Sequence, residues 1–356
     1  MDLEKLRDKI DDIDHKIVSL LNQRYNCVLE VGHWKKNRSQ AIYVPEREKA
    51  LLERLEKINE GPMPQATLRA IYREIMSGAL TLEHPIKIAY LGPEATNSHL
   101  AALAKFGHSV EYVPRSGITD VFTDVEAARC AYGCVPIENS TEGAINHTLD
   151  MLMDSSVRIC SELSLRIHHN LMSKCEQAKI RRIYSHAQVL AQCRSWLQEH
   201  MPRVELVESS STTKAAEAAS NEDGTGAIAS SLAAELHSLK IHATNIEDNS
   251  NNTTRFLVIG AQEPKPTGDD KTSICFALRD RVGALYDCLL PFKNEEITLT
   301  MIESRPSKRR NWEYFFFIDL LGHQSDPSVR RALDQLENLV QSLRILGSYP
   351  RSSITL

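Results

Sequence analysis

At 356 residues the chain is long enough for two or three domains, each with its own core. Its 42% hydrophobic and 25% charged residues are ordinary for a globular protein, and a net charge of −5 gives no reason to expect nucleic acid. The opening MDLEKLRDKIDDID is charged and amphipathic, unlike a signal peptide, and no apolar run reaches membrane-spanning length. Eight scattered cysteines then fit reduced thiols in the cytoplasm better than a disulfide framework.

Residues 2–83 read as helical throughout. Leu3, Leu6, Ile10, Ile13, Ile17, Leu20 and Leu21 carry a helical period that continues through Val28 and Val31 and predicts one helix to about Lys36. A second helix opens at Pro45, whose missing N–H suits a first turn. EGPMP (60–64) separates it from a third that ends near Glu83, and His84-Pro85 closes the domain. From Ile86 short apolar strands (IKIAYLG, CAYGCVPIEN, RRIYSHAQ, GAIAS, TTRFLVIG) alternate with helical runs, which argues for α/β architecture. EPKPTGDDK (263–271) is a linker. The remainder reads β-α-β-β-α-β over 272–279, 283–292, 297–305, 312–321, 327–344 and 345–349, a ferredoxin-like order. The short basic run SKRR (307–310) reads as a solvated loop between two of those strands.

The helical segment carries Arg7, Arg24, Lys35, Arg47, Glu48 and Glu83. Arg24 and Lys35 are eleven residues apart, about three turns or ~16 Å, so they share a face and could close on a small dianion. Arg7 lies ~25 Å of helix from Arg24 and could reach the same ligand only from another protomer. A helix this long in so small a domain also favours an intertwined dimer.

These residues carry a resemblance. LRDKIDDIDHKIVSLLNQR, VGHWKK and PEREKALLERL resemble the all-helical chorismate mutases across 2–83. The resemblance implies that Arg7, from the partner subunit, and Arg24 hold the two carboxylates of chorismate in a compact conformer. It implies that Lys35 donates to the ether oxygen, that Glu48 holds the ring hydroxyl and that Arg47 orients the loop. Val44 and Ala79 stand where the family has an aspartate and a serine, though the Val44 N–H could still serve. Glu83 replaces a glutamine that donates to the ether oxygen; a carboxyl can do so only when protonated, so mutase activity should fall as pH rises.

In VPIENSTEG (135–143) an apolar strand runs out into four hydrogen-bonding side chains. In α/β sheets ligands bind at such carboxyl ends. Ser185-His186 stands at a second strand end, SSSTT (209–213) opens a helix, and NNTTRF (251–256) opens a strand. Together they suggest a cleft for a small oxygen-rich acid. YLGPEATNSHLAA, GCVPIENSTEGAINHTLD, IYSHAQVLAQC and NNTTRFLVIG resemble the prephenate dehydratases over 86–262, with a periplasmic-binding-protein-like fold. The resemblance points to Thr254 as the hydroxyl that protonates the departing hydroxide. Arg255 is then placed on the pyruvyl carboxylate, Glu138, Asn139, Ser185 and Gln192 in the polar wall, and Phe256 against the ring. Ala95, Asn97 and Ala187 replace a usual glycine, aromatic and proline.

DRVGALYDCLLPF and TMIESRPSKRRNWEYFFFIDLLGH resemble the phenylalanine-sensing ACT domain of the same enzymes, with Val282 replacing a usual proline. That assigns Gly283, Ala284, Leu285, Glu303, Ser304, Arg305 and Pro306 to a phenylalanine site in a domain over 272–356. The expectation is therefore a helical mutase domain (1–84), a dehydratase domain (86–262) and a regulatory domain, forming a cytoplasmic homodimer that binds chorismate, prephenate and L-phenylalanine. No cofactor is implied. Cys130, Cys134 and His168-His169 lack a second ligand pair at zinc spacing, so no metal is expected. A dehydratase whose helices serve only dimerisation, and an amino-acid-binding sensor, are the alternatives.

Overall fold

The computed structural model describes residues 3–36, 43–83, 85–278, 281–306 and 314–352. The basic run 307–310 lies outside them, as does the side chain of Glu83. The chain divides into two compact units, Met1–Val44 with Leu51–Ile86 and Phe106–Glu111, and Pro45–Ala50 with Lys87–Lys105 and Tyr112–Leu356.

The first unit rests on α1 (Leu3–Lys36) and α3 (Gln65–Glu83), with most of α2 (Pro45–Ile58). The Tyr25 hydroxyl of α1 donates to the Ile75 carbonyl of α3 at 3.1 Å. Gly78 permits this approach, since a Cβ there would stand 2.5 Å from that hydroxyl. Ile10, Ile13, Ile17 and Leu20 stay 47–62% exposed, an apolar stripe along α1 that none of the described residues covers. No helix among the described residues is long and apolar enough to cross a membrane.

The second unit opens with β1 (Lys87–Leu91), α4 (Asn97–Phe106), β2 (Glu111–Arg115), α5 (Ile118–Glu126), β3 (Tyr132–Asn139), β4 (Gly143–Ala144), α6 (Asn146–Asp154) and β5 (Arg158–Arg166). The chain crosses to a second lobe through β6 (Asn170–Ser173), β7 (Arg182–Ser185), α7 (Ala187–Gln192), α8 (Arg194–His200), β8 (Glu205–Glu208), α9 (Thr212–Asn221), β9 (Thr225–Ala229), α10 (Ser231–Leu236) and β10 (Lys240–Ala243). It returns on β11 (Thr253–Gly260). The first sheet runs β2-β1-β3-β11-β5 with β4 paired to β3, and the second runs β10-β6-β9-β7-β8. Two sheets joined by two crossings make the expected two-lobed α/β layout.

The tail forms β12 (Asp270–Ala277), α11 (Ala284–Asn294), β13 (Leu299–Pro306), β14 (Tyr314–Leu321), α12 (Pro327–Leu339) and β15 (Ser342–Pro350), in sheet order β13-β14-β12-β15. The β-α-β-β-α-β order is as expected, but α12 stops at Leu339 and β15 begins at Ser342. One face of this sheet packs on its own helices through Ile274, Phe276, Phe292, Ile318 and Leu336. The other, with Cys275, Phe317, Leu346 and Tyr349, joins Leu149, Leu152, Ile159 and Leu257 in a single core.

Candidate active site

Asn139 and Thr254 are directly opposed in the antiparallel β3–β11 pair, so their side chains leave the sheet on one face. Gly143, at φ +81, turns the chain back so that β4 pairs with the same end of β3. The result is a cavity of about 280 Å³ between the lobes. Asn139, Glu142, Gly143, Asn252 and Thr254 line it on one side, with His169 and Gln192 on the other.

The polar side chains form a chain of contacts. Asn139 Nδ2 donates to Thr254 Oγ1 at 2.8 Å and to Asn252 Oδ1 at 2.9 Å. Asn252 Nδ2 donates to Gln192 Oε1 at 3.4 Å, and His169 Nε2 lies 2.8 Å from the same oxygen. Burial holds the His169 pKa below its ordinary value, which favours the neutral ring, with the Gln192 contact and Glu247 acting the other way. Neighbouring His168 instead pairs with Glu247 through Nδ1 at 2.7 Å. Burial would raise the Glu247 pKa, but the His169 N–H and His168 outweigh it and hold it low.

Asn139, Gln192 and Thr254 thus come together as expected, and four other expectations are corrected. Arg255 follows Thr254 on a strand whose side chains alternate, so it leaves by the opposite face. There it meets Glu162 and Asp319 rather than the cavity. Glu138, opposite Arg255, shares that face and lies 3.9 Å from its guanidinium. Ser185 is fully buried, its hydroxyl donating to the Ile228 carbonyl at 2.7 Å. Phe256 is 1% exposed and does not line the cavity. Asn252 and His169 had no substrate role on sequence grounds. Asn252 was within reach of such reasoning, since it precedes Thr254 by two residues and so falls on the same face. Ala95, in place of the usual glycine, takes φ +62 and is fully buried.

In the first unit α1 carries both Arg24 and Lys35 without interruption, as the spacing requires. Arg24 buries its Nη1 with no hydrogen-bond partner among the described residues, a donor that an anion would satisfy. Arg7 is exposed, Lys35 and Val44 are half-buried, and Ala79 is buried at 7% exposure. Glu48, in the second unit, pairs with Lys105 at 3.1 Å, and Arg47 is exposed. In the tail, Gly283 caps α11 at φ +77, with Ala284 buried and Leu285 half-buried behind it. On β13 Ser304 and Pro306 face solvent while Glu303 and Arg305 turn inward, and Arg305 pairs with Asp150 of α6 at 3.0 Å. Its guanidinium is thus occupied by α6, a correction to its assignment as a ligand contact. All eight cysteines are unpaired, and no group of three or more His, Cys, Asp or Glu among the described residues is set to hold a metal.

The sequence matches the family profile of prephenate dehydratase over residues 88–264 and that of chorismate mutase type II over residues 6–84. It is 46% identical to a bifunctional chorismate mutase/prephenate dehydratase of Stutzerimonas stutzeri, over 98% of each chain. Identity to the bifunctional protein of Aquifex aeolicus is 47%, over 99% of this chain and 98% of that one. Among solved structures, the prephenate dehydratase of Arthrobacter aurescens in complex with L-Phe superimposes with a TM-score of 0.70 at 34% identity, covering 75% of this chain and 90% of its own. Two family profiles in series, two-lobed cleft and full-length relatives agree, and the chain belongs to the bifunctional chorismate mutase/prephenate dehydratase family.

Proposed function

We propose that this chain makes phenylpyruvate from chorismate in two steps and is feedback-inhibited by L-phenylalanine, as a cytoplasmic homodimer of L-phenylalanine biosynthesis. The observation that carries the second step is the buried Thr254 hydroxyl, 2.8 Å from Asn139 Nδ2 at the wall of the cleft. In prephenate the C–C bond to the ring carboxylate breaks and its electron pair enters the ring. The C–O bond at the far ring carbon then breaks, and the leaving hydroxide takes the Thr254 proton to become water. Carbon dioxide and phenylpyruvate remain, and solvent returns a proton to Thr254.

The first step needs no nucleophile. The unpartnered Arg24 Nη1 supports a carboxylate partner there, Lys35 donates to the ether oxygen, and Val44, Glu48 and Glu83 complete the ring and ether contacts. The exposed stripe on α1 supports a helix-to-helix dimer in which Arg7 enters the partner's site. The tail is the ACT domain, its phenylalanine site built on Gly283–Leu285 and on Glu303, Ser304 and Pro306, and the L-Phe complex of the Arthrobacter relative supports that effector. Buried Ala79, with no hydroxyl to offer, and Glu48, taken by Lys105, favour one second reading: a dehydratase whose helices only dimerise.

The test is to incubate the protein with chorismate across pH and follow chorismate, prephenate and phenylpyruvate. Chorismate should vanish as phenylpyruvate appears, more slowly at high pH, and Glu83→Gln should flatten that profile. Thr254→Ala should stop at prephenate. Untouched chorismate with added prephenate consumed would establish the second reading.

A further inference from the structure

The hydrogen bonds of the cleft have a direction that one atom settles. The backbone N–H of Thr141 can only donate, and it lies 2.9 Å from Asn139 Oδ1. That fixes the Asn139 oxygen toward Thr141 and spends its two amide hydrogens on Asn252 and Thr254. Asn252 must then present its oxygen to Asn139 and its nitrogen to Gln192, whose oxygen receives it. The His169 nitrogen that meets the same oxygen must carry a hydrogen, so the ring is protonated at Nε2. Gln192 is left with its amide nitrogen toward Thr141 Oγ1 at 3.5 Å and Glu142 at 3.3 Å.

The chain therefore ends in a hydrogen donated onto the Thr254 oxygen. Thr254 accepts from Asn139 and has no other side-chain partner among the described residues, so its own hydrogen is free to enter the cleft. A hydrogen bond donated to a hydroxyl oxygen stabilises it as the proton leaves, which makes an intrinsically weak acid more effective.

We propose that Asn252 and His169 are positioning residues of the dehydratase: together they fix the amide polarity of Gln192, Asn252 supplies the acceptor that holds Asn139 in the polarity Thr141 sets, and the Thr254 proton is thereby reserved for the substrate. The proposal rests on Thr254 as the acid. It also explains why two residues 2–3% exposed, neither with a charge to offer, stand at the cleft wall.

Asn252→Asp keeps shape and the acceptor for Asn139, but sets an oxygen against Gln192 Oε1 while His169 still requires oxygen there. His169→Leu removes the donor, and His169→Gln restores an amide nitrogen near the position of Nε2. With prephenate as substrate, Asn252→Asp and His169→Leu should lower kcat at least about tenfold with KM within about threefold of the parent. His169→Gln should recover most of that loss. Melting temperature and the mutase rate serve as folding controls, and if His169→Leu does not fold, the isosteric Asn252→Asp carries the test. Parent-like kcat in both Asn252→Asp and His169→Leu, with Thr254→Ala inactive, would overturn the positioning role alone. His169→Gln no better than His169→Leu would overturn the part assigned to the His169 hydrogen. An active Thr254→Ala would overturn the reading of Thr254 itself.

Discussion

The Arg255 guanidinium is held by Glu162 at 2.7 Å, by Asp319 at 2.6 Å and by the Tyr349 hydroxyl at 3.0 Å, and Lys271 also reaches Glu162 at 2.8 Å. Burial would lower the Arg255 pKa, but Tyr349, Asp319 and Glu162 outweigh it and hold it raised. Burial would raise the Glu162 pKa, but Arg255 and Lys271 hold it below the ordinary 4.5. A depressed carboxyl pKa contributes stability that is complete above the unfolded value and is lost as pH falls through the folded one. Glu162→Gln leaves two buried cations short of a counter-charge and should destabilise the protein by about 3–5 kcal/mol near neutrality. The gap between variant and parent should then narrow as pH falls below 4.5. Urea melts at several pH values check this, and a gap that stays constant into acid would remove Glu162 from the account.

At the scale of elements, β3 and β11 show what was legible in the sequence and what was not. Strand ends, polar side chains and the motif resemblance point to Asn139, Gln192 and Thr254, and the structure brings these three to one cavity. The face each neighbour takes depends on register, and the β3–β11 register shifts between Arg255 and Phe256. Alternation puts Thr254 and Arg255 on opposite faces, but the resemblance assigns both to the substrate, whereas Arg255 serves the interface with β14 and β15. Ser185 failed for a related reason: its strand-end position was right, but the β9 carbonyl that takes its hydroxyl belongs to a strand forty residues on. The same register logic gives a prediction for regulation. Arg305 on β13 meets Asp150 on α6, the helix that begins just after the cleft loop Gly143–Ile145. If the tail binds phenylalanine, this pair is one physical route by which β13 acts on the cleft wall. Asp150→Asn should leave the phenylalanine-induced rise in melting temperature and weaken inhibition of prephenate dehydration several-fold. Equal loss of both would instead place Asp150 in the effector site.

At the scale of the whole second unit, the tail is not a module tethered by a linker. Met301, Phe317 and Leu346 of its sheet face Leu149, Leu152, Ile159 and Leu257 across a void of only about 10 Å³. Arg255, Glu162 and Asp319 lie in the same layer. Removing the tail would uncover four large apolar side chains at about 1.5–3 kcal/mol each, against a typical total stability of 5–15 kcal/mol. It would also leave Glu162 and Arg255 without Lys271, Asp319 and Tyr349. A chain ending at Gln262 should therefore be insoluble or melt far below the full-length protein, and should have lost prephenate dehydration through misfolding rather than through loss of a catalytic group. Expressing that truncation and measuring its melting temperature and dehydratase rate checks the point. A soluble, cooperatively melting, active fragment would mean that the shared core is dispensable for both folding and dehydration.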